Sequence, residues 1–166
     1  MSIQSIVEQV IDALNDLSVP YMLRGSLATN LYVISRSTAD ADFVVQLDKH
    51  AATDLARRLG PDFKLDPQMS FETNTATSRF VFIHDIEEFS IEFFLLSNDP
   101  HDQERSRRRR QHRAWSRDIH AATAEDIIVM KVRWLTMSRR IKDREDAVAV
   151  VRAVGDRKST RLNSSH

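Results

Sequence analysis

Two short stretches near the N-terminus decide the fold: Leu23-Arg24-Gly25-Ser26 and, further along, Asp40-Ala41-Asp42-Phe43-Val44-Val45. The apolar end of the second stretch is typical of a buried strand, and Tyr21–Leu23 predicts another strand immediately before a Gly-Ser turn. On a strand, residues two apart point to the same side of the sheet, so Asp40 and Asp42 share one face. The pattern therefore predicts two carboxylates on one strand face, preceded along the chain by a strand–turn–helix unit.

This pair of elements favours a site for a metal-bound nucleoside triphosphate. Close carboxylates repel each other unless a positive charge lies between them, and hard oxygen ligands suit Mg²⁺ or Mn²⁺. A turn such as Gly25-Ser26 at a helix N-terminus presents backbone N–H groups to phosphate oxygens. Each element alone has a simpler explanation, because Asp-x-Asp is commonly a solvated strand edge and Gly-Ser is commonly only a turn. A Gly-Ser turn followed by an Asp-x-Asp strand, each beside a predicted strand, is much rarer than either element alone.

Composition limits the classes of protein to which this chain can belong. Its 166 residues predict one compact domain, and 42% hydrophobic with 29% charged residues is ordinary for a globular protein. Twenty-four basic residues balance 24 acidic ones, which excludes a globally basic nucleic-acid binder but leaves room for a local basic patch. The absence of cysteine excludes disulfide scaffolds, thiolate zinc sites and cysteine nucleophiles.

No stretch of the sequence predicts an association with a membrane. No apolar run approaches the roughly 18–20 residues that span a bilayer. The first 14 residues lack the basic flank and the cleavage site of a secretory signal. We therefore expect a cytoplasmic protein without a membrane partner.

The spacing of apolar residues predicts an α+β (α/β) protein in which helices flank a small mixed sheet and further helices follow. A short helix within a loop is the only structure suggested for residues 62–78, and the aromatic-rich runs Arg79–His84 and Phe89–Leu96 predict a hairpin. The predicted helices cover Ile3–Leu17 with Ser2 as N-cap, Leu27–Ile34, Ala51–Leu59 with Asp48 as cap, a segment opening at Thr123–Asp126, and Asp143–Val154.

The C-terminal residues break this pattern. Lys158–His166 is polar and has no apolar face, and it resembles translated cloning or sequencing-adapter sequence. We therefore predict a single domain over residues 1–154 and a disordered tail over residues 155–166, of which 158–166 is the adapter-derived part.

The motifs in their order resemble the polymerase-β-type nucleotidyltransferase superfamily and, more narrowly, its small AbiEii-type toxin-like members. The resemblance covers most of Met1–Val154 and implies a minimal nucleotidyltransferase fold with C-terminal helices. The stretches that carry it are Tyr21–Ala28, Ser35–Asp42, Ser78–His84, Ser90–Phe94, Asp99–Asp102 with the arginines after it, Ala124–Lys131 and Lys142–Asp146.

The resemblance implies a magnesium-dependent enzyme that moves a nucleoside monophosphate from a nucleoside triphosphate to a hydroxyl. It assigns Asp40, Asp42 and Glu92 as catalytic and metal-binding residues; the third position is usually aspartate in the family and is glutamate here. It implies nucleotide contacts for the following residues: Gly25, Ser26, Arg36 and Lys131. A surface lysine beside an apolar helix stripe is the alternative for Lys131, and a simple salt bridge is the alternative for Arg36.

The resemblance also implies an acceptor and a partner. The acceptor is a hydroxyl of RNA, such as a tRNA-like 3′ end, or of a protein, and the enzyme is the toxin of a toxin–antitoxin pair with an antitoxin as partner. The identity of the nucleotide and the oligomeric state stay open, with a dimer as one alternative.

An arginine-dense segment gives a second hypothesis from another class. Arg107, Arg108, Arg109 and Arg110 form a local electropositive stripe that would contact phosphates of RNA or of the triphosphate. The alternative is a solvated face whose arginines pair with nearby carboxylates. A catalytically inactive protein of the same fold that binds nucleic acid or a partner through this stripe is therefore the competing function, and a regulatory partner subunit is the third.

Three aspartates outside these motifs receive structural roles. Asp126 follows Thr123 at the spacing of a helix capping box, and Asp143 and Asp146 are expected to cap and decorate the last helix.

Overall fold

The computed structural model describes residues 2–33, 37–47, 49–72, 77–138 and 141–163, which form helices on a mixed eight-stranded sheet. The helices are α1 Ile3–Asp16, α2 Gly25–Thr29, α3 Lys49–Leu59, α4 Pro100–Arg107, α5 Ala124–Ser138 and α6 Ile141–Asn163. The strands are β1 Tyr21–Arg24, β2 Asp40–Val45, β3 Phe63–Leu65, β4 Ser70–Glu72, β5 Thr77–His84, β6 Phe89–Leu95, β7 Arg110–Ala114 and β8 Arg117–Ala121.

The sheet confirms the predicted α+β class with a mixed sheet. Its strand order is β3-β5-β6-β2-β1-β8-β7, with β4 paired to β5. Strand β2 lies in the middle, antiparallel to β1 and parallel to β6, while β1 pairs in parallel with β8. Asp42 is therefore flanked by a paired strand on each side, and Asp40 is paired with β6.

Aromatic packing fixes β2 against the predicted hairpin of β5 and β6. The rings of Phe43 and Phe93 stack with centroids 5.5 Å apart, and Phe82 meets Phe93 edge-on at the same distance. All three side chains are fully buried. Burial of each phenylalanine ring stabilises the folded state by about 2–3 kcal/mol. Because a shift of one residue would turn these rings to the other face of the sheet, the register between β2 and β6 is strongly determined.

The first helix forms as its sequence predicts. The hydroxyl of Ser2 accepts a hydrogen bond from the backbone N–H of Ser5, which caps the helix. The apolar stripe of α1 buries residues such as Ile6, Val10 and Leu14 in the core.

Two local predictions are wrong, and a third segment carried no structural prediction. Residues 62–78 contain the strands β3 and β4 rather than a short helix, because Phe63 is buried and pairs with His84 of β5. The helix expected at Leu27–Ile34 is the shorter α2, which begins at Gly25. The arginine segment contains β7 and β8, and β7 escapes prediction because this edge strand is rich in polar side chains and has no alternation of buried apolar residues.

The last helix continues beyond Val154, where the predicted domain ends. α6 extends to Asn163, so the segment expected to be disordered from residue 155 is helical up to that point. No proline interrupts the helix in this stretch. Residues Ile34, Arg36 and Asp48, which carry other predictions, lie outside the described residues. Among the described helices, none is both long and apolar enough to cross a membrane.

Candidate active site

A cavity of about 320 Å³ opens over the centre of the sheet, where β1, β2 and β6 meet α4 and α5. It combines carboxylates, cations and an apolar wall. Its lining residues include Arg24, Gly25, Ser26, Asp40, Asp42, Arg79, Glu92, Phe94, Arg105, Asp126, Met130, Lys131 and Trp134.

The three predicted carboxylates lie side by side in this cavity. Asp40 and Asp42 alternate with the buried Ala41 along β2, so both face the cavity. Asp42 is the direct register partner of Glu92 on the parallel strand β6. The hydroxyl of Thr38 donates to Oδ1 of Asp40 over 3.0 Å and orients that carboxylate. The structure thus brings together the residues that the sequence predicted, although their roles stay predictions.

Gly25 makes this arrangement sterically feasible. Its φ of +66° lies in the left-handed region that disfavours residues with a Cβ. A Cβ atom added there would overlap Oδ2 of Asp42 and come within 3.0 Å of its Cγ. The turn and the carboxylate are therefore packed in direct contact, and only glycine fits between them.

The electrostatic environment of Asp42 disfavours its ionised form. Burial raises the pKa of Asp42 to about 6, and the neighbouring charges of Asp40 and Glu92 add to the increase, while Arg24 and Lys131 oppose it. A pKa raised by burial together with neighbouring carboxylates is typical of functional sites, because structure alone gains nothing from such a cluster.

Arg79 neutralises the third carboxylate. Its Nη1 donates to Oε2 of Glu92 over 2.7 Å, and its Nε donates to the hydroxyl of Ser70 over 2.9 Å. Sequence analysis missed this residue as a site residue. The available signal was its place on the hairpin strand next to β6, but the contact depends on a register that the sequence does not specify.

The donor set of this cluster suits a divalent cation. Asp40 and Asp42 offer the hard oxygen ligands that Mg²⁺ and Mn²⁺ prefer, and a bound cation would relieve the raised pKa of Asp42. Within the described residues, no three acidic or imidazole side chains are grouped closely enough to hold a metal ion as they stand. The ion pair with Arg79 holds Glu92, so the two aspartates fit a metal directly and Glu92 fits once that ion pair opens.

Lys131 reaches the cavity from α5 but is held by two aspartates of α6. Its Nζ lies 3.0 Å from Oδ1 of Asp143 and 2.9 Å from Oδ2 of Asp146. Both aspartates are buried and bind Lys131, which corrects the expectation that they only cap and decorate the last helix. They turn inward because they are three positions apart on α6 and therefore share its face toward α5.

Asp126 forms one of the two hydrogen bonds of the predicted capping box and also binds Arg108. Its backbone N–H donates to the hydroxyl of Thr123, and that hydroxyl donates to its carboxylate. Arg108 adds two further hydrogen bonds of 2.6 and 2.9 Å to the same carboxylate. This bidentate pair ties the end of α4 to the start of α5.

The arginines of the predicted stripe make several separate contacts. Arg108 pairs with Asp126, Arg107 with Glu104 of its own helix, and Arg109 donates to the backbone oxygen of Ser106. Arg110 is exposed at the start of β7. The geometry favours the alternative in which most of these arginines pair locally, and phosphate contact through them stays a prediction.

An apolar wall completes the cavity and was not predicted. The guanidinium of Arg24 lies 4.3 Å from the centroid of the Phe94 ring and 5.8 Å from that of Trp134. Met130 and Ile127 of α5 extend this wall. These residues look like ordinary core positions in the sequence, because their apolar spacing does not distinguish a core from a cavity wall.

No protein-family model matches the chain, and no curated protein matches it. Solved structures are similar to it in fold. The antibiotic-resistance factor ANT(2″)-Ia has a TM-score of 0.62 and 12% identity, over 98% of this chain and 89% of its own. A Thermotoga maritima protein assigned provisionally as a nucleotidyltransferase has a TM-score of 0.62 and 13% identity, over 85% and 89%. The lincosamide adenylyltransferase LnuA, with lincomycin bound, has a TM-score of 0.59 and 13% identity, over 88% and 94%.

Proposed function

We propose that this protein is a magnesium-dependent nucleotidyltransferase that moves a nucleoside monophosphate from a nucleoside triphosphate to a hydroxyl. One observation carries the proposal: Asp42 is in register with Glu92 on one side and packs against Gly25 on the other, in one cavity. The fold that the chain shares with nucleotidyltransferases supports it.

The chain supplies both halves of a triphosphate site. Asp40 and Asp42 are the residues that would hold the divalent ion, and such an ion supplies positive charge to the phosphates when it is bound. Gly25 and Ser26 offer the turn beside Asp42 as a cradle for the β- and γ-phosphates. The predicted contact of Arg36 belongs to the same proposal.

Glu92 serves the acceptor side of the reaction. The acceptor oxygen forms a bond to the α-phosphorus, the bond from that phosphorus to the bridging oxygen breaks, and pyrophosphate leaves with the electron pair. The acceptor's proton passes to the carboxylate of Glu92. Arg79 positions this carboxylate through its 2.7 Å contact with Oε2.

The acceptor that we propose is a hydroxyl of RNA, such as a tRNA-like 3′ end, or of a protein, in a toxin that is controlled by an antitoxin. The sequence resemblance supports this choice. The antibiotic-resistance factor and the lincosamide adenylyltransferase of the same fold make an aminoglycoside and a lincosamide necessary further acceptors in the test.

The test is transfer of label from each α-labelled nucleoside triphosphate in Mg²⁺, with cellular RNA, cellular protein, an aminoglycoside and a lincosamide as separate acceptors. The double variant Asp40→Ala, Asp42→Ala should abolish labelling. The matched control is Asp16→Ala, Asp54→Ala, which removes two exposed aspartates that do not line the cavity.

The acceptor that becomes labelled identifies the substrate class. If the intact protein labels none of them, the proposal of catalysis is wrong. Salt-sensitive RNA binding in the absence of triphosphate binding would then identify the inactive binding protein instead.

A further inference from the structure

The cavity contains a buried, positively charged side chain that has no role in the reaction proposed above. Arg105 of α4 lines the cavity, and its side chain is only 4% exposed. Its Nε is buried and has no hydrogen-bond partner among the described residues. A buried N–H group without an acceptor destabilises a fold, and at a cavity wall a bound ligand with an acceptor oxygen would satisfy it.

The carboxylates near Arg105 are shared with other donors. Oδ1 of Asp102 lies 3.2 Å from its Nη2, while Oδ2 of Asp102 accepts a hydrogen bond from Ser97 over 2.6 Å. Asp126 is held by the two hydrogen bonds from Arg108. The positive charge of Arg105 is therefore only partly compensated by the protein.

A second guanidinium adds to this positive charge. Arg24 lines the same cavity and immediately precedes the turn at Gly25. Burial lowers the pKa of Arg105, and the positive charge of Arg24 lowers it further, against the opposing effect of Asp102. Two cations in one cavity wall repel each other, and an anion between them relieves that repulsion.

Arg105 stands apart from the carboxylate cluster. Arg105 lies on α4, whereas the three carboxylates lie on β2 and β6. In the proposed function the turn at Gly25 and Ser26 holds the β- and γ-phosphates, and Arg24, which shares the cavity with Arg105, immediately precedes that turn. The planar guanidinium fork also matches phosphate oxygens two at a time.

We infer that Arg105, together with Arg24, binds the β- and γ-phosphates of the nucleoside triphosphate and holds them as they leave as pyrophosphate. This inference rests on the proposed function for the identity of the substrate. As the bond from the α-phosphorus to the bridging oxygen breaks, its electron pair stays on pyrophosphate. The two guanidinium groups stabilise that developing negative charge without accepting a proton.

The experiment measures binding of ATP, AMP and pyrophosphate by calorimetry in Mg²⁺, for the intact chain and three variants. Arg105→Gln removes the charge, Arg105→Lys keeps the charge but loses the fork, and Arg57→Gln is the matched control. Arg57 also pairs with an aspartate three residues earlier in a helix, but it is 74% exposed and does not line the cavity.

We expect Arg105→Gln to weaken ATP and pyrophosphate binding about tenfold or more, with AMP binding unchanged and Arg105→Lys intermediate. Arg105→Gln also removes the ion pair with Asp102, so its thermal unfolding temperature should fall; the selective loss of ATP and pyrophosphate binding over AMP binding separates the effect on the ligand from this loss of stability. Should Arg105→Gln fail to fold, Arg105→Lys decides the question by the same selective loss.

Unchanged pyrophosphate binding, an equal loss for AMP, or no pyrophosphate binding by the intact chain would overturn the inference. The transfer assay keeps this result separate from the proposed function. Pyrophosphate binding that depends on Arg105 without any nucleotide transfer contradicts only the enzyme proposal, and transfer with Arg105-independent binding contradicts only the inference.

Discussion

The contact between Gly25 and Asp42 predicts the effect of a single methyl group. We expect Gly25→Ala to push the Asp42 carboxylate out of place, because the added Cβ would overlap Oδ2. Nucleotide transfer should fall by about a hundredfold or more, since misplacing a reacting group by about 1 Å costs that much. The measurement is the initial rate of label transfer.

Gly60→Ala is the control for backbone strain. Gly60 also has a positive φ, of +89°, but a Cβ there meets nothing within 4 Å. This variant should lose about 1–2 kcal/mol of stability from its left-handed backbone and keep its transfer rate. Equal loss of activity in both variants would mean that strain, rather than the carboxylate contact, explains the first result.

The raised pKa of Asp42 makes a prediction about stability. Because the folded state binds this proton more tightly than the unfolded state, the contribution of Asp42 to the stability of the chain falls as pH rises from about 4 to about 6. Without metal, Asp42→Asn should therefore be more stable at pH 7 by about 2 to 3 kcal/mol. The gain should vanish below about pH 4, in urea unfolding curves measured in EDTA.

Asp54→Asn, at an exposed aspartate, is the control and should show no such gain. Saturating Mg²⁺ should remove the advantage of Asp42→Asn, because the cation stabilises the ionised aspartate of the intact chain. A variant that is less stable than the intact chain at pH 7 in EDTA would show that the carboxylate is a net stabiliser.

Individual site residues differ in how far the sequence predicts them. Asp40, Asp42 and the Gly25 turn follow from local spacing, since strand alternation and turn chemistry act over a few residues. The contact of Arg79 with Glu92 does not, because it depends on the pairing of two strands. Arg105 is indistinguishable from its arginine neighbours until packing buries it.

At the scale of elements, Lys131 joins α5 to α6 through Asp143 and Asp146. We expect Lys131→Gln to lower the stability of the chain by about 3–5 kcal/mol, because it leaves two buried carboxylates without their cation. Urea unfolding at pH 7 measures this loss.

The matching exposed position on α5 is Arg133, and Arg133→Gln should change stability by less than about 0.5 kcal/mol. A Lys131→Gln variant of unchanged stability that binds triphosphate weakly would assign Lys131 to the nucleotide alone.

The helices α1, α3, α5 and α6 and the apolar strands β1, β2, β5 and β6 were predicted because their periodicity is local, whereas the polar helix α4 was not. Strand β7 was not, since its sequence Arg-Gln-His-Arg-Ala is mostly polar. It forms because β8 provides five register partners, from Ala121 to Arg117. Tertiary pairing overrides local preference in such edge strands.

At the scale of the whole molecule, shortening the chain from its C-terminus tests where the folded domain ends. Val154 packs against the core, and Val150 is fully buried. A chain that ends at Arg157 should keep its stability within about 0.5 kcal/mol, whereas one that ends at Ala149 should lose about 3 kcal/mol or more with the two valines. Thermal unfolding compares them; a large loss in the longer chain would mean that the tail belongs to the domain.

The spacing of apolar residues predicts the α+β class with a mixed sheet correctly, but the order of the strands cannot be read from it. The parallel pairing of β2 with β6 joins residues far apart in sequence, and nothing local to either strand specifies that partner. The paired charges on α4 and β7 likewise become visible only once the chain has folded.

The central position of β2 has a consequence during synthesis on the ribosome. Asp40 and Asp42 emerge early, but their partner strand with Glu92 follows about fifty residues later, and α5 with Lys131 later still. Such long-range pairings form slowly and only once both strands are available. A growing chain therefore carries two unshielded aspartates without a working site until nearly all of the domain has left the ribosome.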